Sequence, residues 1–205
     1  MDNFKFKFDY WYTSVGFVGG SRTGKSYATA KLAALTNMRN SILVAYPDQK
    51  QAFAPYSKDI RVAADDELNG QTVDNFIELR KNKKVWCQIL DDVDLFVKRA
   101  TDSTWLENVP IAAKGHWEQG CIWQSRRVLY LPKKLVQNTD YLVFTHNVDK
   151  YDYDYLAEYA GLDLDLYRKL PPPVHDPKDP KKLLSAHYLI LHRESGMQKI
   201  FSRFG

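Results

Sequence analysis

Gly19-Gly-Ser-Arg-Thr-Gly-Lys-Ser26 (GGSRTGKS) is the stretch on which the rest of the chain depends. It matches the phosphate-binding pattern G-x-x-x-x-G-K-[ST] in full. The apolar run Val15-Gly16-Phe17-Val18 precedes it, and a helix-compatible run from Ser26 to Leu35 follows. Strand, loop and helix in that order give the pattern its mechanism. Glycines let the backbone curl so that successive N–H groups face one anion, and the positive end of the following helix faces the same anion. The nucleotide-binding set is therefore Gly19, Gly20, Ser21, Arg22, Thr23, Gly24, Lys25, Ser26 and Tyr27. Lys25 is expected at the β- and γ-phosphate oxygens of a nucleoside triphosphate, and Ser26 on Mg²⁺.

A second apolar run, Val85-Trp-Cys-Gln-Ile-Leu90, ends in Asp91-Asp92. At the C-terminal end of a buried strand, Asp91 is expected to hold the metal opposite Ser26, and Asp92 to orient or deprotonate the attacking water. A third run, Gly120-Cys-Ile-Trp-Gln124, continues to Ser125-Arg126-Arg127. Alternate strand residues share a face, so Gln124 and Arg126 are candidates to sense the γ-phosphate at the same sheet edge.

The 205-residue chain fits one α/β domain, taken as residues 1–205. A net charge of +4 permits an anionic partner without demanding one. Cys87 and Cys121 lie in apolar runs, away from metal-ligand spacing, and read as buried thiols of a reducing compartment. No apolar stretch approaches the roughly 20 residues that cross a bilayer, and the N-terminus lacks the apolar core of a signal peptide. Residues 1–12, which mix aromatics with Lys and Asp in near alternation from Phe4 to Phe8, read as an edge strand or arm. Ser41–Tyr46 and Ile60–Ala63 read as strands, Thr72–Arg80 as a helix, and 93–119 as a crossover containing a helical segment at Leu106–Lys114.

Further on, Leu131–Asp140 reads as a short helix and turn, and Tyr141–Thr145 as a central strand with His146 and Asn147 at its end. Asp149–Tyr159 is expected to be a helix with Tyr155, Leu156 and Tyr159 inward, and Asp163–Leu170 a second helix ended by Pro171. Residues 171–182 (PPPVHDPKDPKK) read as an exposed, stiff, basic loop. Ser185–His192 and Met197–Phe201 read as a closing β-hairpin. Alternating strands and helices imply an α/β fold, RecA-like with an additional strand: a mainly parallel sheet flanked by helices, with the nucleotide at the strand C-termini.

The run Lys114-Gly-His-Trp-Glu-Gln-Gly120-Cys-Ile-Trp-Gln-Ser-Arg-Arg127, followed by Leu131-Pro132 and Asn138-Thr-Asp140-Tyr-Leu-Val-Phe144, resembles the third signature of the FtsK–HerA superfamily of DNA-pumping ATPases. It is most similar to the genome-packaging ATPases of icosahedral viruses with an internal membrane, the Sulfolobus turreted icosahedral viruses among them. The resemblance covers about residues 14–201. It implies ATP hydrolysis with Mg²⁺ between the subunits of a ring, a pentamer or hexamer, that pulls double-stranded DNA through a basic channel at a capsid vertex, in the host cytoplasm or the virion. Counted from His116, the family's sensor Gln falls on Arg126, two residues after the Gln124 present here. The family's Arg before that His is replaced by Gly115, beside Lys114. Arg127 and Arg126, ahead of Arg99, are the candidates for a finger reaching a neighbouring subunit's γ-phosphate. The catalytic set is thus Lys25, Asp92, Gln124, Arg126 and Arg127. Behind this reading stand another DNA-directed P-loop ATPase (a plasmid or transposon partner, or a filamentous-phage assembly ATPase), a small-molecule kinase, and a P-loop regulatory module.

Overall fold

The computed structural model describes residues 13–35, 41–44, 61–62, 87–95, 120–129, 131–146 and 148–202. Short apolar runs become the strands β1 (Ser14–Val18), β2 (Ser41–Val44), β3 (Arg61–Val62), β4 (Cys87–Leu90), β5 (Gly120–Ser125) and β6 (Tyr141–Phe144). Beyond them come β7 (Val174–Asp176), β8 (Asp179–Ser185), β9 (Tyr188–His192) and β10 (Met197–Phe201). Eight strands form one sheet in the order β10-β9-β6-β1-β5-β4-β2-β3. The six from β6 to β3 are parallel. The closing hairpin extends the sheet antiparallel, β9 on β6 and β10 on β9.

Two strands, β5 and β4, are inserted between β1 and β2, and β1 is flanked by the late strands β5 and β6. Strand order reverses at β1, and the crevice beyond its C-terminal end is where such a sheet accepts a ligand. The expected α/β architecture, a mainly parallel P-loop sheet with an additional strand and a C-terminal hairpin, is the observed one.

Side-chain alternation separates two cores. Val15, Phe17, Ile122, Val143 and Ile190 face helix α1 (Lys25–Leu35), meeting Ala28, Ala30 and Leu32. Val18, Trp123, Leu142, Phe144 and Leu191 face the opposite layer. That layer comprises α2 (Lys133–Gln137), a helical run from Lys150 to Ala160, and α3 (Leu164–Arg168). Gly16 is required on this face: a Cβ there would stand 2.2 Å from the Trp123 ring, which lies across β1. The Trp123 indole N–H donates to Thr139 Oγ1 at 2.9 Å, so the buried ring keeps its polar atom satisfied.

Local chemistry sets the helix ends. The expected helix over 149–159 is a 3₁₀ turn (Lys150–Asp152), an α-turn (Tyr153–Tyr155) and a π-turn (Leu156–Ala160), begun by Asp149 accepting from Tyr151 N–H and ended by Gly161 at φ 75°. Tyr155 and Leu156 point inward, and Tyr159 packs half-buried against the core. Asp163 caps α3, accepting from the amides of Asp165 and Leu166, and Pro171 to Pro173 follow its end. At the other end of the sheet the Asp140 carboxylate accepts the Ser14 amide at 2.8 Å, so the Asp of the apolar-strand motif pins the start of β1.

Three boundaries differ from the sequence reading. Residues 171–182, read as a loop, contribute to β7 and β8, which pair antiparallel through two register irregularities in a separate exposed ribbon. Lysine and proline composition concealed the pairing, because both residue types are depleted in strands and are tolerated at exposed edges. Ser185 consequently ends β8, and the closing hairpin begins at Tyr188. Arg126 lies just past the end of β5. The arm over 1–12, the helix over Thr72–Arg80, Arg99, Lys114, His116, the Leu106–Lys114 segment and Asn147 lie outside the described residues.

Candidate nucleotide site at the strand tips

β1 delivers the Gly19–Ser26 loop to the switch point, and both neighbouring strands grip its first turn. Gly19 N–H donates to the Ser125 carbonyl of β5 at 3.2 Å, and Gly20 N–H to the His146 carbonyl beyond β6 at 3.3 Å. The loop uses left-handed backbone at Arg22 (φ 60°) and Gly24 (φ 96°). Gly24 also lies under Tyr188, Ala186 and Leu183: a Cβ there would come 3.0 Å from the Tyr188 hydroxyl.

Lys25, the first residue of α1, is 7% exposed and curls back over its own loop. Its ammonium donates to the carbonyls of Gly19 at 2.7 Å and Gly20 at 2.8 Å. Burial pushes its pKa down, opposed by the carboxylates of Asp92, Asp94 and Asp91. In a low-dielectric loop an ammonium attracts phosphate oxygens more strongly than it does in water, and the three acids keep it charged against the effect of burial.

The acidic pair stands at the end of β4. Asp91 is 2% exposed, whereas Asp92 is half-buried in left-handed backbone at φ 42°. Such a conformation is strained for a non-glycine residue and is concentrated at functional sites. Burial raises the pKa of Asp92, while Lys25 and Arg126 pull it back and Asp94 pushes it further up. Ser26 and Gln124 also meet here, with the serine hydroxyl donating to Gln124 Oε1 at 3.5 Å. Gln124 is fully buried, and its Nε2 has no hydrogen-bond partner among the described residues, a costly condition that an incoming oxygen would relieve.

The two arginines after β5 part company. Arg126 Nε lies 3.9 Å from Asp92 and 3.7 Å from Asp94, on the side of Lys25. Arg127 turns the other way and pairs with Asp149 and Asp152, each at 3.2 Å. Asp152 is fully buried and also accepts the Leu129 amide at 3.0 Å; burial raises its pKa, and that amide and Arg127 lower it. Arg127 is therefore held by Asp149 and Asp152, whereas Arg126 stays beside the acids at the end of β4.

Two site residues escape the sequence reading. Asp94 follows the strand-end pair on a 3₁₀ turn (Val93–Leu95) and accepts from Ser125 Oγ and Arg126 N–H, each at 3.0 Å. The run Asp91-Asp-Val-Asp94 was its signal. Thr145, at the tip of β6, hydrogen-bonds Thr23 inside the loop. Nothing in its local sequence marks it. Ser21, Arg22 and Tyr27 of the expected binding set are exposed on the loop and the first turn of α1.

No protein-family model and no curated protein matches the sequence. Solved structures do. The DNA-packaging ATPase B204 of Sulfolobus turreted icosahedral virus superposes with a TM-score of 0.73 at 17% identity, covering 94% of this chain and 98% of that one. The genome-packaging NTPase B204 of Sulfolobus turreted icosahedral virus 2, solved with AMPPCP, gives 0.74 at 16%, covering 95% and 98%. ATPase domains 2 and 3 of EssC from Geobacillus thermodenitrificans give 0.58 at 16%, covering 94% of this chain and 39% of that one. The expected likeness is thus found: this chain has the P-loop NTPase fold of the B204 packaging ATPases, matched over nearly the full length of both.

Proposed function

We propose that this protein is an ATP-hydrolysing motor that moves double-stranded DNA and packages a viral genome into a preformed capsid. The observation that carries the hydrolytic part is the convergence of Lys25, Ser26, Asp91, Asp92, Gln124 and Arg126 at adjacent strand tips, with Lys25, Asp92 and Arg126 in one electrostatic cluster. The packaging part draws support from the fold shared with B204, structures of which have been determined with AMPPCP and with ATPγS.

The loop amides and Lys25 bind the triphosphate, the ammonium leaving its two carbonyls for phosphate oxygens. Asp92, with a pKa raised by burial, accepts the proton of the attacking water, and Gln124 orients that water or reports the γ-phosphate. Mg²⁺ fits the hard-oxygen donors Ser26 and Asp91, the latter a buried carboxylate in the field of Lys25; when bound it neutralises charge on the β- and γ-phosphates. Arg126 acts within its own subunit, balancing Asp92 and Asp94 until phosphate charge draws it away. Arg127 is more weakly placed as a trans finger because Asp149 and Asp152 occupy it.

DNA would be held mainly through its phosphates, independent of sequence and sensitive to salt. The working form is a ring, a pentamer or hexamer, meeting capsid proteins at the packaging vertex, in the host cytoplasm and the virion. Among the described residues no helix is long and apolar enough to cross a membrane. The test is ATPase activity with and without double-stranded DNA. DNA stimulation that Lys25→Ala abolishes is expected; stimulation by a nucleoside with no response to DNA would indicate a kinase instead.

A further inference from the structure

We propose that Thr145 is the positioning residue that holds the phosphate loop in its anion-binding shape, and that Tyr167 ties this hold to α3. The inference rests on the nucleotide-site reading above. Thr145 is fully buried and Thr23 is 2% exposed. Their hydroxyls share a hydrogen bond whose direction follows from the competing acceptors: Thr23 has the Gly20 carbonyl at 2.8 Å, whereas the Thr145 hydroxyl has the Val18 carbonyl only at 3.4 Å, so Thr23 commits its proton to Gly20 and Thr145 donates to Thr23. The chain Thr145 to Thr23 to Gly20 thus closes the loop across its own mouth.

The same hydroxyl occupies the place that Gly19 leaves open. A Cβ on Gly19, whose φ is 154°, would stand 1.9 Å from Thr145 Oγ1. The first glycine of the loop is therefore needed for the approach of this threonine as well as for its own backbone. Main-chain bonds fix the threonine from both directions. Its N–H donates to the Val18 carbonyl at 2.8 Å, and its carbonyl accepts from the Tyr167 hydroxyl at 2.9 Å. That tyrosine in turn accepts the Val148 amide at 2.9 Å. Tyr167 is 5% exposed on α3, and burial pushes its pKa up to about 12, so it stays a protonated donor across the physiological range.

None of these groups carries charge, and none is placed to touch the reacting atoms. Their effect is to keep Thr23 and Gly20 where the following amides and Lys25 converge. Without the Thr145 donor, the loop must adopt its binding shape at the ligand's expense, which lowers apparent affinity by the fraction of competent loop.

The test compares Thr145→Val, Thr145→Ser and Tyr167→Phe in the full chain, using equilibrium binding of a fluorescent ATP analogue well below each variant's Tm. Thr145→Val keeps the shape and removes the donor, and is expected to weaken binding about tenfold, on the order of a lost buried hydrogen bond. Thr145→Ser restores the donor and should bind within about threefold of wild type. Tyr167→Phe should weaken binding by a smaller factor in the same direction. Wild-type binding that Thr145→Val leaves unchanged, or a serine variant as weak as the valine variant, overturns the proposal. If Thr145→Val does not fold, an unchanged affinity in Tyr167→Phe overturns the proposed tie to α3, and a weakened one supports it. A wild type that binds no nucleotide overturns the nucleotide-site reading itself, and the proposal with it.

Discussion

The phosphate loop hangs between two strand tips of opposite character. On the β5 side stand Gln124, Arg126 and, across β4, Asp91, Asp92 and Asp94, a tip of charges balanced against one another and against Lys25. On the β6 side stand neutral groups: the Thr145 hydroxyl bonds that of Thr23, and the Tyr167 hydroxyl donates to the Thr145 carbonyl. Both sides grip the loop through its backbone, by Gly19 to Ser125 and Gly20 to His146. On the proposed function, the difference separates two tasks. Handling a polyphosphate needs groups whose charge and protonation change during the reaction, and such groups make poor fixed supports because their partners shift. Neutral buried hydrogen bonds hold a shape without adding a field at the reacting centre.

Lys25→Ala should break the charged side most completely, lowering hydrolysis by at least about a hundredfold, as expected for the loss of a charged donor aimed at developing phosphate charge. Steady-state ATPase assays check this, and residual activity within tenfold of wild type would remove Lys25 from the chemistry. Asp92→Asn should leave nucleotide binding nearly intact while hydrolysis falls about a hundredfold. If binding is lost instead, Asp92 is the metal-holding carboxylate and its role exchanges with that of Asp91.

The direction of the Asp92 shift adds a pH test. A base must be deprotonated to act, and burial raises its pKa, so the wild-type rate should begin to fall at a higher pH on acidification than an ordinary carboxylate would allow. Asp92→Asn should lose this limb of the rate profile.

Smaller effects distinguish the adjacent arginines. Arg126→Ala should slow hydrolysis by about tenfold with little change in Tm, because Arg126 is itself partly exposed and stands 3.7 and 3.9 Å from its two acids, long for an ion pair. Arg127→Ala should instead lower stability, by about 1–2 kcal/mol, through the buried Asp152 it leaves without its cation. Thermal melts read the stability change. Mixing Arg127→Ala with Lys25→Ala subunits should restore no activity; recovery would show Arg127 working across a subunit boundary and break the distinction drawn here.

How far the sequence carries depends on how local each feature is. The eight-residue loop is contiguous, so spacing alone exposes it, and the apolar runs ending in Asp91-Asp92 and in Gln124 keep their meaning wherever the strands are placed. The closing hairpin is similarly legible from two apolar runs and a glycine turn. Strand parity put Gln124 and Arg126 at one edge, but it held no information on which acids Arg126 meets or that Arg127 turns to Asp149 and Asp152. The β7–β8 ribbon was hidden by its composition.

By itself, the sequence determined a P-loop α/β fold, a glycine-rich loop between strand and helix, an acidic strand end and a polar strand tip, because each is written in residues that are neighbours along the chain or at fixed strand spacing. Only the tertiary structure decided what closes around the loop. The order β6-β1-β5-β4 brings Thr145 to Thr23, Asp94 to Arg126 and Trp123 over Gly16. Those contacts join residues tens of positions apart or depend on which strands become neighbours, and neighbourhood in a sheet is a property of the whole packed chain.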